Sequence, residues 1–306
     1  YCFIFMNGTE RMKKTTILID TDFGDDTDDA AAFRLALSCG CLDIAAVTTV
    51  FGDTKKRAEM VLEFLSLYGR HDIPAAAGHE KALIERAHSA GPEPIQYPVL
   101  KNKTGLLSDR PAEDLIIQCV REHPDLVILA MGSMTNLAMA FLREPELMRH
   151  VKILAMGGAF FDAKPEWNIA CDPEAARLVM EQSENLIMMG LDVTKYLRIS
   201  PEMLDGWRKR KDPAMDYFLE GVSLFQKATG FPVTFHDVLL VAYLLDPETV
   251  SLQRGDYTVE LSGSMTRGTL VSLSNYYEIH SPEEGRLQFA VHVDTNRFFQ
   301  ILEQYF

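Results

Sequence analysis

The pentapeptide Ile-Leu-Ala-Met-Gly occurs twice, at 128–132 and again at 153–157. Each copy is an apolar run that stops on glycine, and a helix-like stretch, 135–142, lies between them. Apolar runs this unbroken suit strands buried on both faces, the condition of a parallel sheet covered by helices. The same alternation recurs through the first two-thirds of the chain. Strand-like 15–20 precedes helix-like 28–38, which closes at Gly40; strand-like 44–50 precedes helix-like 55–68, which closes at Gly69. A short strand at 73–77, a helix at 112–123, a strand at 126–130, a helix at 172–182 opened by Asp172-Pro173 and a strand at 186–191 continue it. Beyond these the pattern is helical and more polar over 200–229, helical and apolar over 236–245, and hairpin-like over 257–273 around Gly263. A strand at 287–293 and a helix at 297–305 end it. The fold class that follows is α/β: one domain with a mostly parallel central sheet flanked by helices, a helical insertion and a C-terminal hairpin. The domain is expected over 15–306; residues 1–14 read as an N-terminal extension, with Met6 and Met12 as candidate starts.

Of the 306 residues 47% are hydrophobic, enough for one large core. A formal net charge of −14 argues against non-specific binding to nucleic acid or to an anionic membrane, both of which need basic patches. The longest basic run, Arg208-Lys209-Arg210-Lys211, sits among helix-like residues and reads as a solvated face. Five cysteines, irregularly spaced, match neither a disulfide framework nor a zinc site, so a reducing, cytoplasmic location is expected. No apolar stretch reaches the ~18 residues of a membrane span. The opening YCFIF is too short for a signal-peptide core.

Residues 20–29 read DTDFGDDTDD, six carboxylates in ten positions directly after the apolar Ile17-Leu18-Ile19. Two like charges ~4 Å apart repel by roughly 4 kcal/mol at an effective dielectric near 20, so this density calls for a counter-charge. Asp28 and Asp29 open a helix, where the dipole favours each by ~0.3–1 kcal/mol, too little to neutralise six acids. A bound cation is the direct solution, and oxygen-only ligands select a hard ion, calcium or magnesium, over zinc.

The segment DTDFGDDTDDAAA resembles the acidic signature of the nucleoside hydrolase family, the inosine/uridine-preferring enzymes that cut ribose from a base. The usual loop there is D-x-D-P-G-x-D-D-A. Here it is two residues longer and Phe23 replaces the proline, giving the form D-T-D-x-G-x-D-x-D-D-A. TTVFGDT (48–54), LAMGSMTNLA (129–138), PEWNIACDPEAA (165–176), GLDVT (190–194) and HDVLLVAY (236–243) are similar to further family segments in the same order. The resemblance therefore spans nearly the whole chain. It implies a calcium ion (Ca2+) bound by Asp22, Asp29, Asp237 and the backbone carbonyl of Met131. It also implies Asp28 as acceptor of the attacking water's proton and His236 as general acid toward the leaving base. Asp20, Asp53, Glu166 and Asn168 would hold the sugar, with Trp167 between the last two. The substrate would be a small ribonucleoside and the assembly a homo-oligomer, dimer or tetramer.

The chemistry asks for these residue types on its own account. Cleaving an N-ribosidic bond passes through an oxocarbenium-like state, so a site must supply a nucleophile, disperse positive charge and assist the departing base. Carboxylates suit the first two tasks, and a histidine titrating near neutrality suits the third. The chain also departs from the family. The extended loop leaves Asp25 and Asp26 without assigned roles, and either could replace Asp28 or Asp22. Asp53 stands where many members have asparagine, and between Gly158 and Glu166 no asparagine matches one that touches the sugar's 5′ side. For a second active-site histidine only His88 is a loose candidate.

Simpler readings compete. Thr27 or Asp28 could be a helix N-cap, Asp237 another, and Glu166-Trp167-Asn168 an exposed strand edge. ILIDTDFGD also resembles the haloacid dehalogenase-type phosphohydrolases, in which Asp20 would be the nucleophile and magnesium the ion. A calcium-dependent nucleoside or ribose binder without catalysis is a third reading. An EF-hand is excluded, because position 12 counted from Asp20 is Ala31 rather than glutamate.

Overall fold

The computed structural model describes residues 14–84, 93–105, 107–274 and 285–306. Strand β1 (Thr15–Thr21) is buried from Ile17 onward, which explains the lack of alternation in its apolar run. Ile17 and Ile19 enter one apolar layer and Leu18 the other, so the sheet lies between two cores. The chain returns through α1 (Asp28–Ser38), nine of whose residues are buried. The unit then repeats as β2 (Leu42–Thr49), α2 (Thr54–Ser66) and β3 (Ala75–Ala77). After β4 (Leu107–Ser108) and α3 (Ala112–Glu122) come β5 (Val127–Ala130), α4 (Thr135–Arg143), α5 (Pro145–Met148) and β6 (Lys152–Met156). The two ILAMG copies thus supply β5 and β6, with both glycines just beyond the strands' carboxyl ends. The parallel part closes with α6 (Trp167–Cys171), α7 (Pro173–Gln182), β7 (Leu186–Met189) and α8 (Leu191–Thr194). Next are α9 (Pro201–Trp207), α10 (Pro213–Thr229) and α11 (Val238–Leu245). The chain ends with β8 (Val250–Gly255), β9 (Tyr257–Val259), β10 (Leu270–Ser272), β11 (Leu287–Val293) and α12 (Thr295–Tyr305).

Nine strands form one sheet in the order β4-β3-β2-β1-β5-β6-β7-β11-β8. Every neighbouring pair is parallel except β11 with β8. The order reverses at β1, which lies between β2 and β5; in open α/β sheets ligands sit beyond the strand carboxyl ends at such a point. The acidic loop leaves β1 there.

Aromatic packing fixes that loop to the helices behind it. Phe23, the residue in the family's proline position, meets Phe33 of α1 edge-on at 5.5 Å and Phe64 of α2 at 5.9 Å. Burying a side chain of this size contributes about 1.5–3 kcal/mol.

Several expectations need adjusting. The strand expected over 186–191 stops at Met189, because Gly190 lets the backbone approach Gly158 and Leu191 N–H donates to the Gly158 carbonyl at 2.7 Å. The helical stretch 200–229 is two helices, α10 restarting where the Asp212 carboxylate caps Ala214 and Met215 N–H and pairs with Arg34 at 2.7 Å. The run Arg208–Lys211 is solvated, as expected. The C-terminal hairpin forms, but as a separate two-stranded sheet of β9 and β10, in register at Val259 and Leu270. Strand β8 has no counterpart in the sequence reading. It follows a single 3-10 turn, Pro247–Thr249, and runs at the sheet edge beside β11, where its sequence shows only a weak alternation. No helix among the described residues is long and apolar enough to cross a membrane.

Candidate active site

A cavity of about 430 Å³ opens over the carboxyl ends of β1, β5 and β6. Its floor is acidic and its walls are largely apolar, with Phe225, Phe231 and Trp167 among them. Asp28, Asp29 and Asp237 each bring a carboxylate oxygen within 4.8 Å of the other two, all three side chains being buried. Asp22 lines the same cavity. The front loop and the start of α11, 209 positions apart, meet directly: Asp237 N–H donates to Asp28 Oδ2 at 2.9 Å.

Capping does not explain these acids. Thr27 holds the N-cap position of α1 and Asp237 that of α11, yet neither side chain makes a capping hydrogen bond. Instead the carboxylates are gathered out of water beside one another. Burial, and then the charges of Asp22 and Asp28, push Asp29 well above the usual carboxylate range. Burial and then Asp28, Asp29 and Asp22 do the same to Asp237. Asp22 is pushed up to about 7, first by burial, against the pull of the Arg57 guanidinium. Asp28 is raised by burial, with opposing help from His236 and from backbone N–H groups. Such a cluster is expensive when ionised and uncompensated, and a hard divalent cation compensates it. The residues present fit one: an all-oxygen donor set, three carboxylates converging, and no lysine or arginine among the described residues that line the cavity.

The two ILAMG copies converge on one side chain. Asn168 Nδ2 donates to the Met131 carbonyl at 2.9 Å and to the Met156 carbonyl at 3.1 Å. Glu166 is the N-cap of α6, its carboxylate accepting from Asn168, Ile169 and Gly158 N–H at 3.0, 3.3 and 2.9 Å. The strand edge read for 166–168 is therefore a short helix, with Asn168 and Glu166 turned inward and Trp167 outward, 60% exposed. Trp167 rests edge-on against Phe51 at 6.1 Å. Phe51 adopts φ 64°, an unusual conformation for a bulky residue. Gly132 permits the approach of β5 to the acidic loop, since a Cβ there would lie 2.7 Å from Val50 and 3.0 Å from Asp22 N.

His236 lines the cavity and its Nδ1 is 2.8 Å from Thr194 Oγ1 at the end of α8. Burial lowers its pKa and Asp28 partly restores it. The Thr194 hydroxyl thus holds the ring in one orientation.

Two expected sugar ligands stand elsewhere. Asp20 is fully buried behind the cavity; its Oδ1 accepts from Thr48 at 2.6 Å and Asn136 at 2.7 Å, and it is not among the lining residues. Asp53 caps α2, accepting from Lys56 N–H at 3.1 Å and pairing with Lys56 Nζ at 3.1 Å. Neither Asp20 nor Asp53 is among the residues that line the cavity. His88 falls outside the described residues.

Other residues had no role in the sequence reading. Arg57, fully buried, donates to the carbonyls of Asp22, Phe23 and Phe51 and pairs with Asp25 at 2.6 Å. Gln96 donates to the Asp26 carbonyl, and its N–H to Gly24 O at 2.8 Å; a Cβ at Gly221 of α10 would overlap its Oε1. These two clamps hold the longer loop. Thr194 ends the GLDVT segment, so its place in the chain is visible in the sequence although its contact with His236 is not.

Fold and site together define a class: an α/β enzyme whose chemistry is built from carboxylates at strand ends. The sequence profile described as "Inosine-uridine preferring nucleoside hydrolase" matches residues 17–300. The chain is 30% identical to the inosine-uridine preferring nucleoside hydrolase of Crithidia fasciculata, covering 94% of this chain and 95% of that one. It is 32% identical to the pyrimidine-specific ribonucleoside hydrolase RihA of Citrobacter koseri, with 94% and 96% covered. Among solved structures, the purine-preferring ribonucleoside hydrolase from Gardnerella vaginalis superposes with TM-score 0.81 at 25% identity, covering 94% of this chain and 96% of that one. The plant nucleoside hydrolase PpNRh1 superposes with TM-score 0.80 at 26% identity, covering 95% and 98%. The chain belongs to the inosine-uridine preferring nucleoside hydrolase family. It is accordingly a hydrolase of N-glycosyl bonds in ribonucleosides.

Proposed function

We propose that this enzyme hydrolyses ribonucleosides to ribose and free base in a calcium-dependent reaction in the cytoplasm, with Asp28 as general base. The observation that carries the reading is the convergence of Asp28, Asp29 and Asp237 in one buried cluster at the sheet's switch point. Asp22, Asp29, Asp237 and the Met131 carbonyl would hold the ion. When bound, a divalent ion lowers the pKa of water and orients neighbouring hydroxyls.

The chain's own groups supply the rest. Asp28, steadied by Asp237 N–H, accepts the proton of the water that attacks the anomeric carbon. Glu166 and Asn168 face the cavity and suit sugar hydroxyls, while Trp167, Phe225 and Phe231 offer the base an apolar wall. His236 stands at the same cavity, held by Thr194, and gives a proton to the departing nitrogen. The phosphohydrolase reading requires Asp20 as nucleophile, and a side chain closed off behind the cavity does not serve. Relatives with purine preference and with pyrimidine preference are both similar to this chain, so breadth of base is left to the assay.

The test is base release from a panel of purine and pyrimidine ribonucleosides, with free ribose as the co-product. Release from at least one supports the proposal. Tight nucleoside binding with no base released over hours would favour a non-catalytic binder.

A further inference from the structure

Two of the five cysteines meet. Cys39 caps the end of α1 and Cys41 stands immediately before β2, with Gly40 between them. Cys39 keeps a helical conformation, its N–H donating to the Leu35 carbonyl at 3.1 Å. Gly40 then turns left-handed at φ 73°, and among the described residues only its chain neighbours come within 4 Å of where a Cβ would stand. Two peptide units span at most ~7.2 Å when extended and less when the chain turns. Cysteines on either side of such a turn come within the roughly 4.4–6.8 Å between Cα atoms that a disulfide needs. The side chains converge as well: the Cys41 thiol hydrogen-bonds to the Cys39 sulfur, toward which the N–H groups of Cys41 and Leu42 also point. Both residues are thiols here, with no bond between the sulfurs.

Their access differs. Cys39 is half-buried, whereas Cys41 is buried and its carbonyl accepts from Thr15 N–H at 3.0 Å. The Cys41 thiol, helped by the same N–H groups, brings the Cys39 thiol down to about 6 against burial; the Ala36 carbonyl, 3.2 Å away, accepts its proton while it has one. An accessible sulfur that ionises readily beside a sheltered second thiol suits attack followed by closure.

We infer that Cys39-Gly40-Cys41 is a thiol–disulfide exchange site for low-molecular-weight disulfides of the glutathione class, with Cys39 as the attacking sulfur and Cys41 as the resolving one. The Cys39 thiolate attacks one sulfur of the small disulfide, whose S–S bond breaks and releases one thiolate. The Cys41 thiolate then attacks Cys39 Sγ of the mixed disulfide; the Cys39–Cys41 bond forms and the second small thiolate leaves. The two protons shed by the cysteines end on the two released thiols, so the protein dithiol is oxidised and one small disulfide is reduced. The couple lies before the amino end of β2, opposite the strand ends over which the nucleoside cavity opens, and does not depend on that cavity's chemistry.

The experiment equilibrates the unaltered protein with reduced and oxidised glutathione at one fixed ratio and several total concentrations. Remaining thiols are alkylated after an acid quench and the Cys39–Cys41 peptide is read by mass spectrometry. Closure releases two thiols per disulfide consumed, so tenfold dilution of total glutathione should raise the disulfide-to-dithiol ratio about 10-fold. A mixed disulfide would not respond to dilution. Cys41→Ser should accumulate that mixed disulfide on Cys39, and Cys39→Ser should leave Cys41 at least about 10-fold slower to react. Two thiols that stay reduced in every buffer, or a mixed disulfide that persists on the unaltered protein, would overturn the assignment. So would a Cys41 that reacts as fast in Cys39→Ser as Cys39 does in Cys41→Ser. The titration of the unaltered protein decides the matter even where a variant fails to fold.

Discussion

Single carboxylates in this molecule differ by what surrounds them rather than by what they are. Asp28 has one oxygen engaged by Asp237 N–H, whereas Asp29 accepts from the Thr21 hydroxyl. Asp29→Ala should therefore abolish calcium binding, and Asp28→Ala should spare it while lowering kcat roughly 10²- to 10⁴-fold. Calorimetry beside turnover checks this; equal loss of metal in both variants would reverse the roles. Asp20 makes a different prediction. Burial raises its pKa from 3.8 to about 7 against two hydrogen bonds, and its Oδ2 has no partner among the described residues. A raised carboxylate pKa means the folded state holds the proton more tightly, so its burial costs stability as pH rises through that window and costs most above 7. Asn carries no charge and can still accept from Thr48 and Asn136. In chelator-treated protein, Asp20→Asn should match the parent's melting temperature near pH 4 and exceed it near pH 8. A gap that shrinks as pH rises would contradict this account.

At the scale of elements, the alternation of apolar runs and helix-like segments was legible because each βα unit is written in contiguous residues. The ILAMG pair located β5 and β6, and the expected helices over 28–38 and 236–245 correspond to α1 and α11. What could not be read is held by contacts between backbone and distant side chains, which leave no periodic signal. Arg57 sits in the polar-looking Lys55-Lys56-Arg57, yet its side chain is buried beneath the acidic loop and donates to three carbonyls. Gln96 likewise clamps the loop from a segment with no motif. Asp53 and Asp20 show the related point that a carboxylate near a site reads the same in sequence whether it caps, braces or binds. Arg57→Met should strand Asp25 and the freed carbonyls, destabilising the fold by about 3–5 kcal/mol and weakening calcium binding. Chemical denaturation and calorimetry check it; a stable variant with unchanged calcium affinity would show that the loop holds itself.

Across the whole molecule, the sheet's reversal at β1 and the return of α11 bring together residues that no local reading could place side by side. The result is a strongly acidic cavity in a protein of net charge −14, which favours a small cation over a polyanionic partner. The central claim is that an ion bridging the front loop and Asp237 makes the site work. The most direct measurement follows ribonucleoside turnover after exhaustive chelation and again after calcium is restored. Turnover should disappear on chelation and return with calcium in the unaltered enzyme, and fail to return in Asp237→Ala. Undiminished base release in the presence of chelator would contradict the account.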